Sequence, residues 1–194
     1  MNLGRTVRSL VRRRPVRWTT GLVAAGSALV WLRCGPLPPG LLDKERHPSM
    51  VVVDRHGETL YESRSGLGLR SEMLDAATLP PLLVDATIAA EDVRFRWHVG
   101  IDPIAIVRAV VTDLRHGAVV EGGSTITQQV AKLLIARETG RPARGWSAKL
   151  REAILAIRLE HRLSKQEIVA HYLNLAPYGN QIQGAGRAST EYFG

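Results

Sequence analysis

The side chains that could do chemistry are gathered between Glu91 and Glu152. Glu91-Asp92-Val93-Arg94-Phe95-Arg96-Trp97-His98-Val99-Gly100 puts acid, base and aromatic groups into one turn-rich segment. Glu91 comes directly after the apolar Ile88-Ala89-Ala90, and partial burial there would raise its pKa toward the working range of a general base. Downstream, Gly122 to Gln129 reads Gly-Gly-Ser-Thr-Ile-Thr-Gln-Gln and runs directly into Val130-Ala131-Lys132-Leu133-Leu134. Ser124 is the expected N-cap of this helix, whose first N–H groups would face an anionic or heavily hydroxylated ligand. Lys149 and Glu152 share a helix face, which alone would be an ordinary ion pair. Lys132 lies about one turn beyond Gln129, and Arg108 adds a further cation. Two carboxylates with several cations suit glycosyl transfer with a phosphate leaving group: one carboxylate takes a proton while the cations hold the developing anion. Taken singly, Glu91 also reads as a solvated helix-end carboxylate and His98 as a core or capping histidine.

Helices must position these groups. After Pro80 the apolar spacing is helical: Val84, Ile88 and Val93 mark one face of a helix whose far end carries Glu91 and Asp92. Asp102-Pro103 pairs a capping residue with proline at the first helical position, continued by Ile104, Val107, Val110, Val111 and Leu114 and closed by Gly117. A third helix starts near Ser124. A fourth begins after Ser147, with Leu150, Ile154, Ile157 and Leu159 supplying apolar contacts. Ser164-Lys165-Gln166-Glu167 is a capping-box pattern that opens a fifth through Ile168, Val169, Tyr172 and Leu173. Before them, Val51-Val52-Val53-Asp54 and Thr59-Leu60-Tyr61 flank a turn at Arg55-His56-Gly57-Glu58 and predict a small β-hairpin. The fold class expected is mainly α.

The net charge of +8 on 194 residues resembles a nucleic-acid signal until it is located. Arg5, Arg8, Arg12, Arg13, Arg14 and Arg17 all precede the first apolar run; without these six, 20 basic side chains face 18 acidic ones, a net of +2. The basicity belongs to a tail, which argues against nucleic-acid binding. Trp18 to Leu32 is uncharged and bounded by Arg17 and Arg33. It is short against the roughly 20 apolar residues of a spanning helix, but Arg33 can snorkel and Gly35 to Leu42 is uncharged. Basic residues ahead of the run predict a cytoplasmic N-terminus and export of the rest of the chain. An uncleaved anchor over residues 18–34 is expected rather than a signal peptide, because the run is not succeeded by a small-x-small cleavage site. Pro36, Pro38, Pro39 and Gly40 predict a stiff linker over residues 35–50. Cys34, preceded by Arg33, fits a lipoprotein cleavage site poorly, and a single cysteine forms no intrachain disulfide.

Taken together, these segments resemble the peptidoglycan glycosyltransferase (transglycosylase) domain of glycosyltransferase family 51, found in class A penicillin-binding proteins and in monofunctional transglycosylases. The first family motif, Glu-Asp-x-x-Phe-x-x-His-x-Gly, is met by Glu91, Asp92, Phe95, His98 and Gly100, and the second by Gly122 to Gln129 with Lys132. Ser164 to Ile168 with Tyr172-Leu173-Asn174 resembles the fourth, and Gly184 to Ser189 with Tyr192-Phe193-Gly194 the fifth. Leu67 to Arg70 and Asn174-Leu-Ala-Pro-Tyr-Gly look most like the penicillin-binding protein 1C branch.

The resemblance implies a lysozyme-like domain over residues 51–194 that polymerises lipid II at the outer face of the bacterial cytoplasmic membrane. Glu91 would deprotonate the 4-hydroxyl of the acceptor sugar, which displaces undecaprenyl diphosphate from the donor with inversion. Lys132, Lys149 and Arg108 would hold the diphosphate. Ser124, Thr127, Gln128 and Gln129 would line the donor and acceptor cleft. Glu152 would support the donor directly or through a divalent cation such as magnesium, and Asp92, Phe95 and His98 would shape the first motif against substrate. Implied partners are lipid II, the nascent glycan strand, the membrane and other cell-wall synthases. Two departures stand out. The third motif is Arg-Lys-x-x-Glu in the family, whereas its first position here is Ala148, with Arg144 or Arg151 as expected substitutes. Family members also continue past Tyr-Phe-Gly with a lysine and further helices, so a C-terminally incomplete domain is expected. The alternatives are a lipid II-binding domain without turnover and a lysozyme-like hydrolase, which two carboxylates also permit.

Overall fold

The structure, a computed structural model, describes residues 14–43, 50–63, 70–116, 122–141 and 145–194. The tail arginines before Arg14, the segment Leu67–Gly68–Leu69, Gly117 and Arg144 lie outside the described residues. The chain divides into two units between Pro36 and Leu37.

The first unit contains α1, Arg14–Cys34. Pro15 sits in its first turn, where the missing N–H costs nothing, and its Ala and Leu content favours a continuous helix. The helix is 21 residues long, yet no helix among the described residues is long and apolar enough to cross a membrane. Arg14, Arg17 and Arg33 at its ends and Thr19, Thr20, Gly21, Gly26 and Ser27 along it dilute the apolar run.

The second unit is mainly helical. The expected hairpin pairs β1, Met50–Val53, antiparallel with β2, Thr59–Ser63, in the register Val52↔Tyr61 and Met50↔Ser63. Its turn is held by Asp54 Oδ1, which accepts the N–H groups of His56 and Glu58. A short parallel pair that no periodicity announced joins β3, Arg70–Ser71, to β4, Ile182–Gln183. The helices are α2, Pro81–Glu91; α3, Pro103–His116; α4, Ile126–Thr139; α5, Trp146–Arg162; α6, Lys165–Leu175; and α7, Ala185–Phe193.

The core sits where α4 packs against both α5 and α6. Ile126, Val130 and Leu134 recur every four residues along α4, and Leu155 and Leu159 do so along α5; Ile168, Val169 and Leu173 meet them from α6, all buried. Each such side chain contributes roughly 1.5–3 kcal/mol relative to exposure. Gly140, left-handed at φ 71°, ends α4. The capping box of Ser164 and Glu167 starts α6 directly after Leu163, as its sequence predicts. Within the stretch read as a stiff linker, Leu41 is buried in this core, and Arg137 Nη2 donates to the carbonyl oxygens of Leu41 and Asp43 at 2.8 and 3.1 Å. Asn174 on α6 clamps the stretch before α2, accepting the Leu74 N–H at 2.8 Å and donating to the Leu74 carbonyl at 2.9 Å.

Candidate active site

Glu91 and Asp92, adjacent in sequence, have opposite fates because α2 ends between them. Asp92 turns inward and is buried. Its Oδ2 accepts from His98 Nε2 at 2.9 Å and from the backbone N–H of Ile126 at 3.1 Å. The Gly100 N–H donates to His98 Nδ1 at 3.1 Å, which leaves Nε2 as the ring nitrogen that donates to Asp92. Gly100 itself, at φ +100°, lies so close to α5 that a Cβ would meet the Ala156 carbonyl at 2.8 Å. Its carbonyl accepts from Thr125 Oγ1 at 2.7 Å. These bonds lock the loop after α2 onto the start of α4.

Glu91 stays exposed. The partial burial expected for it does not occur, because Ala89 and Ala90 are themselves exposed and Ile88 only half-buried. What marks Glu91 is its company. Gln129 Nε2 donates to its Oε2 at 2.8 Å. Burial and the negative charge of Glu91 push the phenol of Tyr172, on α6, up to about 12. Burial and the same carboxylate also raise Tyr178. Tyr178 lies on a loop in which Gly179, Asn180 and Gln181 are all left-handed, at φ 83°, 47° and 60°. The loop is tied down by Tyr192, whose hydroxyl donates to the Tyr178 carbonyl at 2.9 Å.

Beyond Gln129 opens a cleft of about 320 Å³, lined by Ser124, Gln128, Gln129, Lys132, Gly145, Ala148, Lys149 and Glu152. It lies between the N-terminal ends of α4 and α5, whose dipoles favour an anion. The α5 start carries no side-chain cap; Gly145 occupies the capping position at φ 92°. Lys149 Nζ donates to Ser124 Oγ at 2.7 Å and to Glu152 Oε2 at 3.2 Å. Glu152 is buried at 5 % exposure, making it the carboxylate at the floor of a cationic cleft.

Several expectations are corrected. Thr125, not Ser124, is the N-cap of α4: its backbone is extended, its Oγ1 accepts the Gln128 N–H, and Gln128 Oε1 accepts the Thr125 N–H. Ser124, one residue outside the helix, is left to bond Lys149. Thr127 does not line the cleft. Its helix position turns it into the core, fully buried, where its Oγ1 donates to Glu160 Oε1 at 2.6 Å. Lys165 Nζ bonds the same Glu160 oxygen and the His98 carbonyl, both at 2.7 Å, and stands 4.3 Å over the Phe95 ring. Asp92, Phe95 and His98 are thus internal frame, not cleft wall. Arg108 is exposed on α3 and Arg151 on α5, both outside the residues that line the cleft. Sequence reasoning missed Tyr172, Tyr178, Glu160 and Lys165. A tyrosine at apolar spacing reads as packing, and only the fold shows where its hydroxyl emerges.

A transglycosylase family profile matches residues 57–194. The chain is 36% identical over 173 residues to penicillin-binding protein 1C of Escherichia coli, covering 89% of this chain and 21% of that protein. It is 39% identical over 146 residues to the biosynthetic peptidoglycan transglycosylase of Nitrosospira multiformis, covering 75% and 62% respectively. Against penicillin-binding protein 1A of Aquifex aeolicus the identity is 44% over 117 residues, covering 60% and 15%. The chain therefore spans about a fifth of the first of these relatives and under two thirds of the second. With the profile extending from the hairpin turn through both carboxylates to Gly194, the chain belongs to the transglycosylase family.

Proposed function

We propose that this chain is a peptidoglycan glycosyltransferase that extends glycan strands by polymerising lipid II. The observation that carries this reading is Gln129, which bonds Glu91 and also lines the cationic cleft around Lys132, Lys149 and Glu152. One side chain thus joins an exposed carboxylate able to take a proton to a pocket able to hold a diphosphate.

In the proposed reaction the acceptor 4-hydroxyl attacks the anomeric carbon of the donor sugar. Its proton passes to Glu91, the bond from the anomeric carbon to the diphosphate oxygen breaks, and undecaprenyl diphosphate leaves with inversion. Lys132, Lys149 and the open N-terminus of α5 offset the charge that grows on the leaving group. Ala148 removes one cation from the family pattern but leaves that helix end uncovered. Glu152 keeps Lys149 oriented. As a lone lining carboxylate with Lys149 on one oxygen, Glu152 is no resident metal site, and among the described residues no three acidic, histidine or cysteine side chains could hold an ion. A divalent cation such as magnesium would fit only as a companion of the diphosphate, with Glu152 as its protein ligand. It would supply further neutralisation of the phosphates.

A lipid-linked donor requires work at a membrane. The arginine-rich N-terminus and the uncharged stretch from Trp18 to Leu32 are the segment that would hold the domain, lysozyme-like in arrangement, at the outer face of the bacterial cytoplasmic membrane. Incubation of detergent-solubilised protein with labelled lipid II tests the reading. Polymer with release of undecaprenyl diphosphate supports it. Soluble muropeptides released from sacculi would instead mark a hydrolase, and binding without polymer a non-catalytic domain.

A further inference from the structure

We propose that Lys165 is a positioning residue for Glu91 and Gln129: from behind the site its ammonium holds the His98 carbonyl and, through Glu160, Thr127, and so fixes the two segments that bring those side chains together. The inference rests on Glu91 being the base of the proposed reaction and adds a residue to it. Lys165 is the first residue of α6, the end of a helix where the dipole disfavours a cation. Its ammonium turns inward. It has three protons to donate, and two of them go to Glu160 Oε1 and the His98 carbonyl oxygen, both at 2.7 Å. The same nitrogen stands 4.3 Å over the ring of Phe95, which is fully buried and meets the His98 ring edge-on at 5.9 Å. The Glu160 side chain is 6% exposed, and its Oε1 also accepts from Thr127 Oγ1 at 2.6 Å. Lys165 supplies the charge that lets a carboxylate stay there.

A staple between α5 and α6 alone would need only Glu160 and Lys165, five residues apart. The other two bonds reach much further, across 67 positions to His98 and 33 to Thr127. They end on the segments that carry the reacting groups. His98 lies on the loop after α2 and bonds Asp92, the neighbour of Glu91. Thr127 sits two residues before Gln129 on α4. The Glu91–Gln129 bond of 2.8 Å bridges these two segments on the exposed side, and the Lys165–Glu160 pair bridges them from the interior. Neither Glu160 nor Lys165 lines the cleft, so their influence on catalysis runs through the placement of Glu91 and Gln129. An exposed glutamate at a helix end rotates freely about its side-chain bonds, and its bond with Gln129 holds only while the two segments keep their spacing.

Lys165→Met alone would leave Glu160 buried without a cation, so the test removes both charges together. In the double variant Glu160→Gln/Lys165→Met the buried site is neutral, while the His98 carbonyl loses its donor. The expected result is a melting temperature close to wild type, an unchanged KM for lipid II and a kcat about tenfold lower. Wild-type kcat in the folded double variant, or a raised KM alone, overturns the proposal. Thr127→Val keeps the ion pair and cuts only the arm to α4, and its kcat should fall about threefold with KM unchanged. Wild-type kcat there overturns the proposal even where the double variant fails to fold. Independently of turnover, the side-chain amide of Gln129 is followed by nitrogen NMR and assigned from its loss in Gln129→Glu. In the wild-type protein, bonded to Glu91, it should give a shifted and slowly exchanging signal that moves toward a free amide in both variants. A pair that only stabilised the fold would leave this signal in place, so an unchanged signal in either folded variant overturns the positioning role. A wild-type protein that makes no polymer defeats the proposed reaction, while the Gln129 signal still decides whether Lys165 holds Glu91 and Gln129 together.

Discussion

The Asp92 carboxylate accepts the backbone N–H of Ile126 at 3.1 Å, a bond that ties the end of α2 to the first residue of α4 across 34 positions of sequence. The same oxygen accepts from His98 Nε2. Through it the end of α2 bearing Glu91 and the helix bearing Gln129 become one rigid piece, and the Glu91–Gln129 bond is a consequence of that docking.

Replacing Asp92 by alanine therefore strands two buried donors. The expected loss of unfolding free energy is about 2–4 kcal/mol, read by chemical denaturation. Asp92→Asn keeps an acceptor oxygen in place and should cost about 1 kcal/mol. Equal losses for the two variants would show that the bonds to Ile126 and His98 are not what Asp92 contributes.

Thr127→Val removes a hydroxyl without changing shape. Because Thr127 Oγ1 donates to Glu160 and faces no cleft, the variant should lose about 1 kcal/mol of stability and keep the wild-type KM for lipid II. A KM change at unchanged stability would return Thr127 to the substrate wall.

Asp102 makes stability fall at low pH. Burial would push its carboxyl up, but the N–H groups of Ala105 and Ile104 and the Arg94 guanidinium outweigh that and hold it below its ordinary 3.8. The unfolded chain thus binds this proton more readily than the folded one. The contribution is complete above 3.8 and is lost as pH falls through the lower, folded value. Asp102→Asn, which still caps α3, should flatten stability against pH below 3.8. An unaltered acid limb in urea denaturation would contradict this.

Much of this was legible beforehand, and the gaps have physical causes. The Ser164–Glu167 capping box and the Asp102-Pro103 helix start are local chemistry, readable within four residues. Ser124 and Thr125 could both cap α4. The choice fell to Thr125 because its hydroxyl also meets the Gly100 carbonyl, a partner 25 residues away that no local pattern reveals. On α3 the helical spacing was right, but Ile104, Val107 and Leu114 are 55%, 63% and 78% exposed: periodicity marks a face without saying what covers it. The cations behaved likewise. Lys132 and Lys149 reach the cleft, while Arg108 lies outside it on a neighbouring helix.

Ala148→Arg restores the cation that the family pattern carries. Ala148 lines the cleft next to Lys149, so the variant should lower the KM for lipid II about threefold to tenfold, an effect that fades with added salt. An unchanged KM would mean that the N-terminus of α5 already supplies what the arginine does elsewhere.

The central claim is that Glu91 takes the proton of the acceptor hydroxyl, and the most direct test is polymerisation of labelled lipid II by Glu91→Gln beside the wild-type protein. The glutamine keeps the size and the hydrogen bonding of the side chain but cannot accept the proton. The predicted result is a rate lowered by about 100-fold or more with lipid II binding intact. Polymer formed at the wild-type rate by Glu91→Gln would contradict the account.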